Sequence, residues 1–247
     1  MNVNIFLKSA PGLTEVRIRK LRVGGFANFS TCDWPGELVA TVFTQGCPWN
    51  CGYCHNPLLL PVKGENELSW DDVITVLRRR RALLDGVVFS GGEPTLQVAL
   101  PDAIREVKAL GFRVGLHSAG PYPERLAKIL PQIDWIGFDV KAPFDSYDRV
   151  TGVPGSGAKA CDCLDHILRS GVAYEVRTTV HPRLLDLAMI TRLADDLQAR
   201  GVNNYALQVF RADGCRIDDL LTKALFPTAD LISILQGRFS SQCVRAT

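Results

Sequence analysis

The chain has 247 residues, 47% of them hydrophobic, with 28 basic and 26 acidic side chains and a net charge of +2. This length can bury a sizeable core, and the near-neutral charge gives no electrostatic argument for nucleic acid or a membrane as partner. No apolar run approaches about 20 residues, and residues 1–20 lack the features of a signal peptide. Eight cysteines are too few for a disulfide scaffold. We expect one cytoplasmic domain spanning residues 1–247.

The N-terminal part carries turn and strand signals. Residues 1–20 contain no motif and are interpreted as an edge extension or a mobile end. Residues 21–33 alternate in polarity around Gly24 and Gly25, which predicts a short hairpin leading into the main sheet. The Trp34-Pro35-Gly36 run is a turn signal.

From residue 38 onward, predicted strands alternate with predicted helices. The apolar or β-branched runs predict strands at 38–44, 86–90, 113–117, 135–140, 174–180 and 205–210. Helical spacing predicts helices at 69–84, 96–110, 123–130, 161–170, 186–200 and 227–239. This alternation predicts an α/β fold with a parallel sheet, and six strands are too few for a closed eight-stranded barrel.

The segment after the first of these strands contains Cys47, Cys51 and Cys54 in a C-x3-C-x2-C pattern. Glycine and proline punctuate the segment, so it is predicted to be a loop. Clustered thiolates suit zinc or an iron–sulfur centre, and three ligands leave one coordination position open. Closing a zinc site would require another ligand pair, and the pair Cys161-x-Cys163 is one residue too tight.

The cysteine spacing, with Tyr53 just before the last cysteine, resembles the radical S-adenosylmethionine enzymes. The continuation Cys54-His55-Asn56-Pro57 narrows the resemblance to activases of glycyl-radical enzymes. The upstream run Phe29-Ser30-Thr31-Cys32-Asp33-Trp34-Pro35-Gly36 looks most like the branch that activates anaerobic ribonucleoside-triphosphate reductase.

The resemblance implies a partial (β/α)6 TIM-type barrel, with a core over about 24–210 and N- and C-terminal extensions. It implies that the three cysteines hold a [4Fe–4S] cluster and that S-adenosylmethionine binds the open iron. A flavodoxin- or ferredoxin-like protein would supply one electron. The resulting 5′-deoxyadenosyl radical would take a Cα hydrogen from a glycine of anaerobic ribonucleotide reductase, the expected partner.

Three alternatives stay open at this point. The partner could be another glycyl-radical enzyme, such as pyruvate formate-lyase. The chain could act on a small molecule, as a deazapurine ring-contracting synthase does. A different class would be a non-catalytic iron–sulfur or zinc binding module, which would need a fourth protein ligand.

The run Ser90-Gly91-Gly92-Glu93-Pro94 follows the second strand of the repeat. Functional groups gather at the carboxyl ends of parallel strands, glycines let the backbone approach a ligand closely, and Glu93 offers an acceptor for an ammonium group. Alone, such a run is an ordinary turn. The resemblance implies that Gly91, Gly92, Glu93 and Pro94 bind the amino group of the cofactor's methionine.

The third strand of the repeat ends at His117-Ser118-Ala119-Gly120, where related activases often carry Thr-Asn-Gly. The asparagine contact would therefore be missing, and Ser118 or backbone groups would have to replace it. His117 could equally be a packed, hydrogen-bonded histidine or a ligand, and we do not include it among the predicted catalytic residues.

Asp139 and Lys141 follow at the end of the fourth strand, on the same face because they are two residues apart. An isolated Asp/Lys pair is usually structural. By resemblance to the D-x-K pattern of the activases, the lysine meets the cofactor carboxylate and the aspartate supports it. With the three cysteines, they complete the predicted catalytic set.

Three further cofactor contacts are predicted. Arg177, in the fifth strand, suits a bidentate contact with the cofactor carboxylate, although Glu175 on the same face could bind it instead. Gln208, in the sixth strand, is predicted to contact the adenosine. The resemblance implies that the backbone of Tyr53 contacts the adenine.

Two features receive no role in the cofactor site. Residues 152–159 resemble a phosphate-binding loop but have Ala158 where that motif requires lysine, so we expect a flexible loop. The remaining cysteines are too scattered to form a second cluster and stay unassigned: Cys32, Cys161, Cys163, Cys215 and Cys243.

Overall fold

The computed structural model describes residues 20–212, 214–221 and 226–245. It contains an eight-stranded sheet whose spatial order follows the chain order. Each strand from β2 to β7 pairs in parallel with the next strand, and β1 pairs antiparallel with β2. The strands are β1 Val23–Ser30, β2 Val39–Thr44, β3 Gly86–Gly91, β4 Arg113–Ser118, β5 Trp135–Asp139, β6 Ala173–Val180, β7 Asn204–Val209 and β8 Ser241–Arg245.

The six strands of the predicted repeat are β2 to β7, and their parallel pairing confirms the partial-barrel fold class. β2 to β5 are buried along most of their length, as expected for strands covered on both sides. Within the described residues, β1 and β8 form the two outer edges and do not pair with each other. The sheet is therefore open.

Helices occur at all six predicted places. The helices are α1 Trp70–Arg79, α2 Leu100–Ala109, α3 Pro123–Ile129, α4 Asp148–Thr151, α5 Ser156–Ser170, α6 Leu187–Ala199 and α7 Thr228–Leu235. Helix α5 begins five residues earlier than predicted, and the short α4 was not predicted. In α1, Trp70, Val73, Ile74 and Leu77 recur at helical spacing and are all buried. The main core joins such helix faces to strand side chains. None of the helices within the described ranges is long and apolar enough to cross a bilayer.

The predicted hairpin within residues 21–33 is wrong. This segment forms one strand, β1, which pairs with β2, for example Phe26 opposite Val42. The turn signal at Trp34-Pro35-Gly36 is the connection of this larger hairpin, where Glu37 N donates to Trp34 O at 3.1 Å. Local alternation indicated a strand, but only the fold could identify its partner. The expectation for residues 1–19 lies outside the described residues.

The predicted flexible loop at 152–159 is also wrong in its second half, because α5 begins at Ser156. The Ser156 hydroxyl donates to Asp148 Oδ1 at 3.0 Å. A Cβ at Gly157 would lie 1.9 Å from Phe144 O, so the helix packs directly on the preceding backbone. The glycine serves close packing here rather than flexibility.

The C-terminal region contains a strand that the sequence did not predict. The helix predicted at 227–239 is confirmed as α7 but ends at Leu235, and β8 follows and pairs in parallel with β7. The β8 sequence SQCVR has little apolar alternation. In this register Arg245 lies opposite Gln208, at the edge where the predicted site residues gather.

Candidate active site

A cavity of about 440 Å³ lies at the carboxyl ends of the strands. All of the predicted site residues except Pro94 line it, which brings the cysteine loop, the glycine-rich turn and the charged residues to one place: Cys47, Cys51, Tyr53, Cys54, Gly91, Gly92, Glu93, Ser118, Asp139, Lys141, Arg177 and Gln208. Pro94 is buried behind the cavity, at the start of a short 3-10 turn.

Backbone hydrogen bonds close the cysteine loop on itself. Gly46 N donates to Leu59 O at 2.8 Å, and Cys47 N donates to Leu60 O at 3.1 Å. Gly46 has φ +97°, a conformation that favours glycine. Cys54 N donates to Cys51 O at 3.1 Å and tightens the last turn. These bonds fix the direction in which the chain leaves β2.

The three cysteines are free thiols, with Cys51 buried and Cys47 and Cys54 partly buried. Burial, reinforced by the neighbouring Glu93, raises the pKa of Cys47 to about 12. Burial also raises the pKa of Cys51. Metal ligation requires thiolates, so loading a metal centre here releases these protons.

The three thiols suit a [4Fe–4S] cluster in which one iron has no protein ligand. Across the described residues, no three His, Cys, Asp or Glu side chains converge closely enough to bind one metal ion. Structural zinc normally takes four such donors in a tetrahedron. In a [4Fe–4S] cluster each thiolate binds its own iron, so the ligands stand further apart. Three thiols bordering one cavity therefore fit a cluster with one open iron.

The glycine-rich turn is fixed against the start of the cysteine loop. Gly92 N donates to Thr44 O at 2.9 Å, and Glu93 N donates to Gly46 O at 2.8 Å. A Cβ at Gly91 would lie 2.3 Å from Thr44 N, and one at Gly92 would lie 2.3 Å from Gly46 O. No larger residue fits at either position without moving the backbone.

The carboxylate of Glu93 differs from the free acceptor that the sequence indicated. It is almost completely buried and accepts hydrogen bonds from Thr95 N at 3.0 Å, Ser118 Oγ at 2.9 Å and Ala119 N at 3.0 Å. Burial raises its pKa despite these bonds. Glu93 thus joins the ends of β3 and β4. That Glu93 and Ser118 contact a cofactor stays a prediction.

Asp139 and Lys141 lie together as their spacing predicted. Lys141 Nζ is 3.9 Å from Asp139 Oδ2, and Arg177 Nε donates to Asp139 Oδ1 at 3.0 Å. The lysine ammonium also lies 5.5 Å from the centre of the Tyr53 ring, a cation–π contact. Lys141 therefore links the charged residues to the cysteine loop.

Tyr147 supports this pair and was not identified from the sequence. Its hydroxyl accepts from Lys141 N at 3.0 Å and donates to Asp139 O at 3.2 Å, and the side chain is fully buried. Burial raises its pKa, so the hydroxyl keeps its proton. No motif marks this tyrosine, because its role depends on the chain folding back beside β5.

The charged states of the pair are mutually stabilised. Burial alone would raise the pKa of Asp139, but Arg177 and Lys141 hold it below its ordinary value. Burial alone would lower the pKa of Lys141, but Tyr53, Cys51 and Asp139 raise it well above its ordinary value. Both groups therefore carry charge at neutral pH.

The alternative partner for Arg177 is ruled out by the contacts of Glu175. Glu175 is buried and accepts a bidentate pair from Arg245, at 2.7 and 2.6 Å. Arg177 instead binds Asp139 and also donates to Gly137 O at 3.3 Å. The sequence could not show this because Arg245 belongs to the unpredicted strand β8.

His117 is a packed histidine. Its Nδ1 is 3.1 Å from Ser90 Oγ and its Nε2 is 2.7 Å from Asp33 O. Arg177 Nη1 also lies 3.1 Å from Nε2. Burial, followed by the charge of Arg177, lowers its pKa to about 4, so the ring is neutral at physiological pH.

Further residues line the cavity without having been predicted as site residues: Cys32, Asp33, Thr179, Arg211 and Arg245. The upstream motif contained Cys32 and Asp33 and could have placed them near the site. The other three come from strand ends or the segment after β7, where no local signal exists.

Comparison with known sequences supports the same chemistry. A family model described as the radical SAM superfamily matches residues 41–197. A Methanocaldococcus jannaschii protein named as a candidate glycyl-radical enzyme activating enzyme is 31% identical over 198 residues, which covers 77% of this chain and 80% of that protein. A pyruvate formate-lyase-activating enzyme from Clostridium pasteurianum is 32% identical over 171 residues, which covers 67% of this chain and 71% of the relative.

Solved structures share the fold at low sequence identity. TYW1 with a bound lysine-pyruvate adduct superposes with a TM-score of 0.61 at 16% identity, covering 85% of this chain and 76% of that one. Streptococcus suis SuiB bound to S-adenosylmethionine gives a TM-score of 0.60 at 16% identity. The superposition covers 82% of this chain and 48% of the SuiB chain.

The cysteine loop, the open parallel sheet and the family match agree with one another. The resemblance to glycyl-radical enzyme activases is confirmed by the two relatives. Members of the matched family are enzymes that use a [4Fe–4S] cluster and S-adenosylmethionine, and the residues around the cavity fit both. The chain belongs to the radical SAM superfamily.

Proposed function

We propose that this protein activates anaerobic ribonucleoside-triphosphate reductase by removing a hydrogen atom from the Cα of a glycine in that enzyme. The observation that carries the proposal is one cavity lined both by the three thiols and by the Asp139–Lys141–Arg177 group. The relatives named for glycyl-radical activation support the reaction class. The upstream run at residues 29–36 supports the choice of reductase.

The protein's own residues bind and orient the cofactors. Cys47, Cys51 and Cys54 would hold the cluster, and the Gly91–Gly92 turn, which lines the same cavity, would accept the ammonium of S-adenosylmethionine. Lys141, fixed by Asp139, meets the carboxylate of the cofactor. With both cofactors bound and one electron taken from an external reductant, this site would supply methionine and a 5′-deoxyadenosyl radical, which the cavity would shield from solvent.

Arg177 and Gln208 orient the rest of the cofactor. The guanidinium of Arg177 already binds Asp139, so it contributes to the carboxylate site mainly by fixing that aspartate. Gln208 on β7 lines the cavity and would contact the adenosine. The backbone at Tyr53, which borders the same cavity, would contact the adenine.

The open sheet suits a protein substrate. A glycine Cα carries no side chain, so an extended loop that presents glycine can approach a buried radical. The edges β1 and β8 are not paired with each other in the described part of the chain, which leaves access from the side. A flavodoxin- or ferredoxin-like protein in a reducing cytoplasm supplies the electron.

A second candidate is activation of a pyruvate formate-lyase. The specific observation in its favour is the Clostridium pasteurianum relative, at 32% identity over two thirds of this chain. A small-molecule substrate has no comparable support. A non-catalytic binding module is disfavoured because the chain belongs to an enzyme family.

The experiment is anaerobic EPR spectroscopy of the cluster-reconstituted protein with reductant and S-adenosylmethionine. Separate samples contain anaerobic ribonucleotide reductase or pyruvate formate-lyase from the same cells. A glycyl-type doublet on the reductase, with 5′-deoxyadenosine formed alongside, is the expected result. A doublet only on the lyase would assign the second candidate. Deoxyadenosine with neither doublet would reject both partners.

A further inference from the structure

The segment after β7 crosses the outside of the cysteine loop. Residues 214–218, here called the strap, contact the loop at several points. Cys215 Sγ lies 3.8 Å from Gly52 O. Ile217 packs over Gly52, because a Cβ at Gly52 would lie 2.1 Å from Ile217 Cδ1. The strap is therefore part of the wall that holds the loop.

Arg216 makes the polar contacts between the strap and the loop. Its backbone N donates to Gly52 O at 3.0 Å. Its guanidinium Nη2 donates to Asn50 Oδ1 at 2.7 Å and to Cys51 O at 3.2 Å. Charge-assisted hydrogen bonds of this kind are stronger than neutral ones and restrict the geometry of their acceptors. One exposed arginine thus binds three consecutive loop residues.

The loop is also held from the opposite side. Asn50 N donates to Thr151 O at 3.0 Å, at the end of α4. Asn50 consequently lies between α4 and the strap. Without the Arg216 side chain the loop would keep its attachment to α4. It would lose the two guanidinium hydrogen bonds to Asn50 and Cys51.

We propose that Arg216 is a positioning residue that locks the Cys47–Cys54 loop in the conformation that holds the cluster. This inference rests on the proposed cluster chemistry and adds a residue outside the cysteine motif. Groups that hold metal ligands in place from outside the ligand set often change metal retention when they are replaced. Arg216 acts on Cys51 through the peptide carbonyl and does not touch the reacting atoms.

The test compares Arg216→Gln, Arg216→Lys and the wild type after anaerobic cluster reconstitution. The readout is the rate of iron release to the ferrous chelator ferrozine. Replacement by glutamine is expected to speed release about tenfold, and lysine to restore part of the retention, since it keeps the charge and one donor. Arg192→Gln is the matched control, because Arg192 forms an exposed bidentate pair with Asp145 on other elements.

A second measurement separates positioning from general stability. The thermal midpoint of the metal-free protein should be nearly the same for wild type and Arg216→Gln, while the EPR spectrum of the reduced cluster with S-adenosylmethionine should broaden. A clear fall in the thermal midpoint of the metal-free Arg216→Gln protein, with no rescue of iron retention in Arg216→Lys, would overturn the positioning role.

A variant that keeps Arg216 provides an independent test should the glutamine variant not fold. Gly214 has φ +70°, and a Cβ there would lie 2.1 Å from His55 O, so Gly214→Ala should push the strap away from the loop. It should release iron faster, like Arg216→Gln. Wild-type retention in both variants would overturn this inference alone, whereas a wild type that takes up no cluster would overturn the proposed function as well.

Discussion

The two sides of the cavity are built from different chemistry. The side formed by β2 and β3, here called the backbone wall, consists of Gly91 and Gly92, which main-chain hydrogen bonds hold against the start of the cysteine loop at Gly46. The opposite side, here called the charged wall, consists of Asp139, Lys141 and Arg177. The backbone wall tolerates no added atom, whereas the charged wall depends on the balance of buried charges.

This difference predicts two kinds of defect. Changes in the backbone wall should disturb the cysteine loop and therefore the iron content, because Gly46 and Gly92 hold the start of that loop. Changes in the charged wall should leave the iron in place and weaken binding of S-adenosylmethionine. The predictions below test this separation in order of decreasing effect.

The largest effect is expected for Cys47→Ala, which removes one of the three thiolate ligands. Cluster assembly and cleavage of S-adenosylmethionine should both be lost, since the remaining two thiols cannot hold a cubane with one open iron. Iron content and 5′-deoxyadenosine yield are the measurements. Cys161→Ala, in α5 and outside the cavity, should behave as wild type. Cleavage activity surviving in Cys47→Ala would contradict the proposed site.

Gly92→Ala tests the backbone wall directly. The new Cβ would meet Gly46 O at 2.3 Å, so the turn or the cysteine loop must move. We expect a loss of about 2 kcal/mol in the free energy of unfolding, with reduced iron content. Gly25→Ala is the control, because a Cβ there meets Phe43 at an ordinary 3.6 Å. Full iron content in Gly92→Ala would break the proposed link between turn and loop.

Lys141→Gln tests the charged wall. It removes one of the cations that line the cavity while keeping a side chain of similar length. We expect the KM for S-adenosylmethionine to rise about tenfold, as for the loss of one charged hydrogen bond, with the iron content unchanged. Lys108→Gln, which loses a pair with Asp134 outside the cavity, should not change KM. An iron-free Lys141→Gln protein would show that the two walls are not separable.

The smallest effect concerns pH and Asp139. Arg177 and Lys141 lower the pKa of Asp139 in the folded state. The ionised carboxylate therefore stabilises the fold at every pH above 3.8, the pKa of this group in the unfolded chain. This contribution is lost as the pH falls below that value. The free energy of unfolding should therefore differ less between neutral and acidic pH in Asp139→Asn than in the wild type. Urea unfolding of both proteins at the two pH values measures this difference. About a third of the side chain is exposed, so the change should be modest.

The control for this last prediction is Asp195→Asn. Asp195 forms an ion pair with Arg238 at the surface, and more than half of its side chain is exposed. Its replacement should leave the pH dependence of unfolding as it is in the wild type. The same acid destabilisation in Asp139→Asn and wild type would show that Arg177 and Lys141 do not stabilise the carboxylate.

Part of the site could be predicted because its chemistry is local in the chain. The three cysteines, the Gly91–Gly92 turn and the Asp139/Lys141 pair each lie within a few residues, and strand ends bring such segments to one edge of a parallel sheet. The cavity lining agrees with that expectation. The roles of these residues, and the single domain over 1–247, stay predictions.

The contacts of Glu93 could not be predicted in this way. Its sequence position indicated a free acceptor. In the structure its carboxylate already accepts hydrogen bonds from Ser118 and Ala119, at the end of the neighbouring strand β4. Arg245 likewise binds Glu175 from a strand without apolar alternation. Arg216 reaches the cysteine loop from more than 160 residues further along the chain.

The sequence by itself determined the six-strand parallel core and the loop character of the cysteine segment, because these follow from short periodicities and from glycine and proline positions. Its motifs also carried the resemblance to the radical SAM family. The tertiary structure decided which charges pair and what lies on each side of the loop. It also decided that β1 pairs with β2 and that β8 extends the sheet. Such contacts join residues far apart in the chain, and their free energy depends on burial and geometry that no local pattern records.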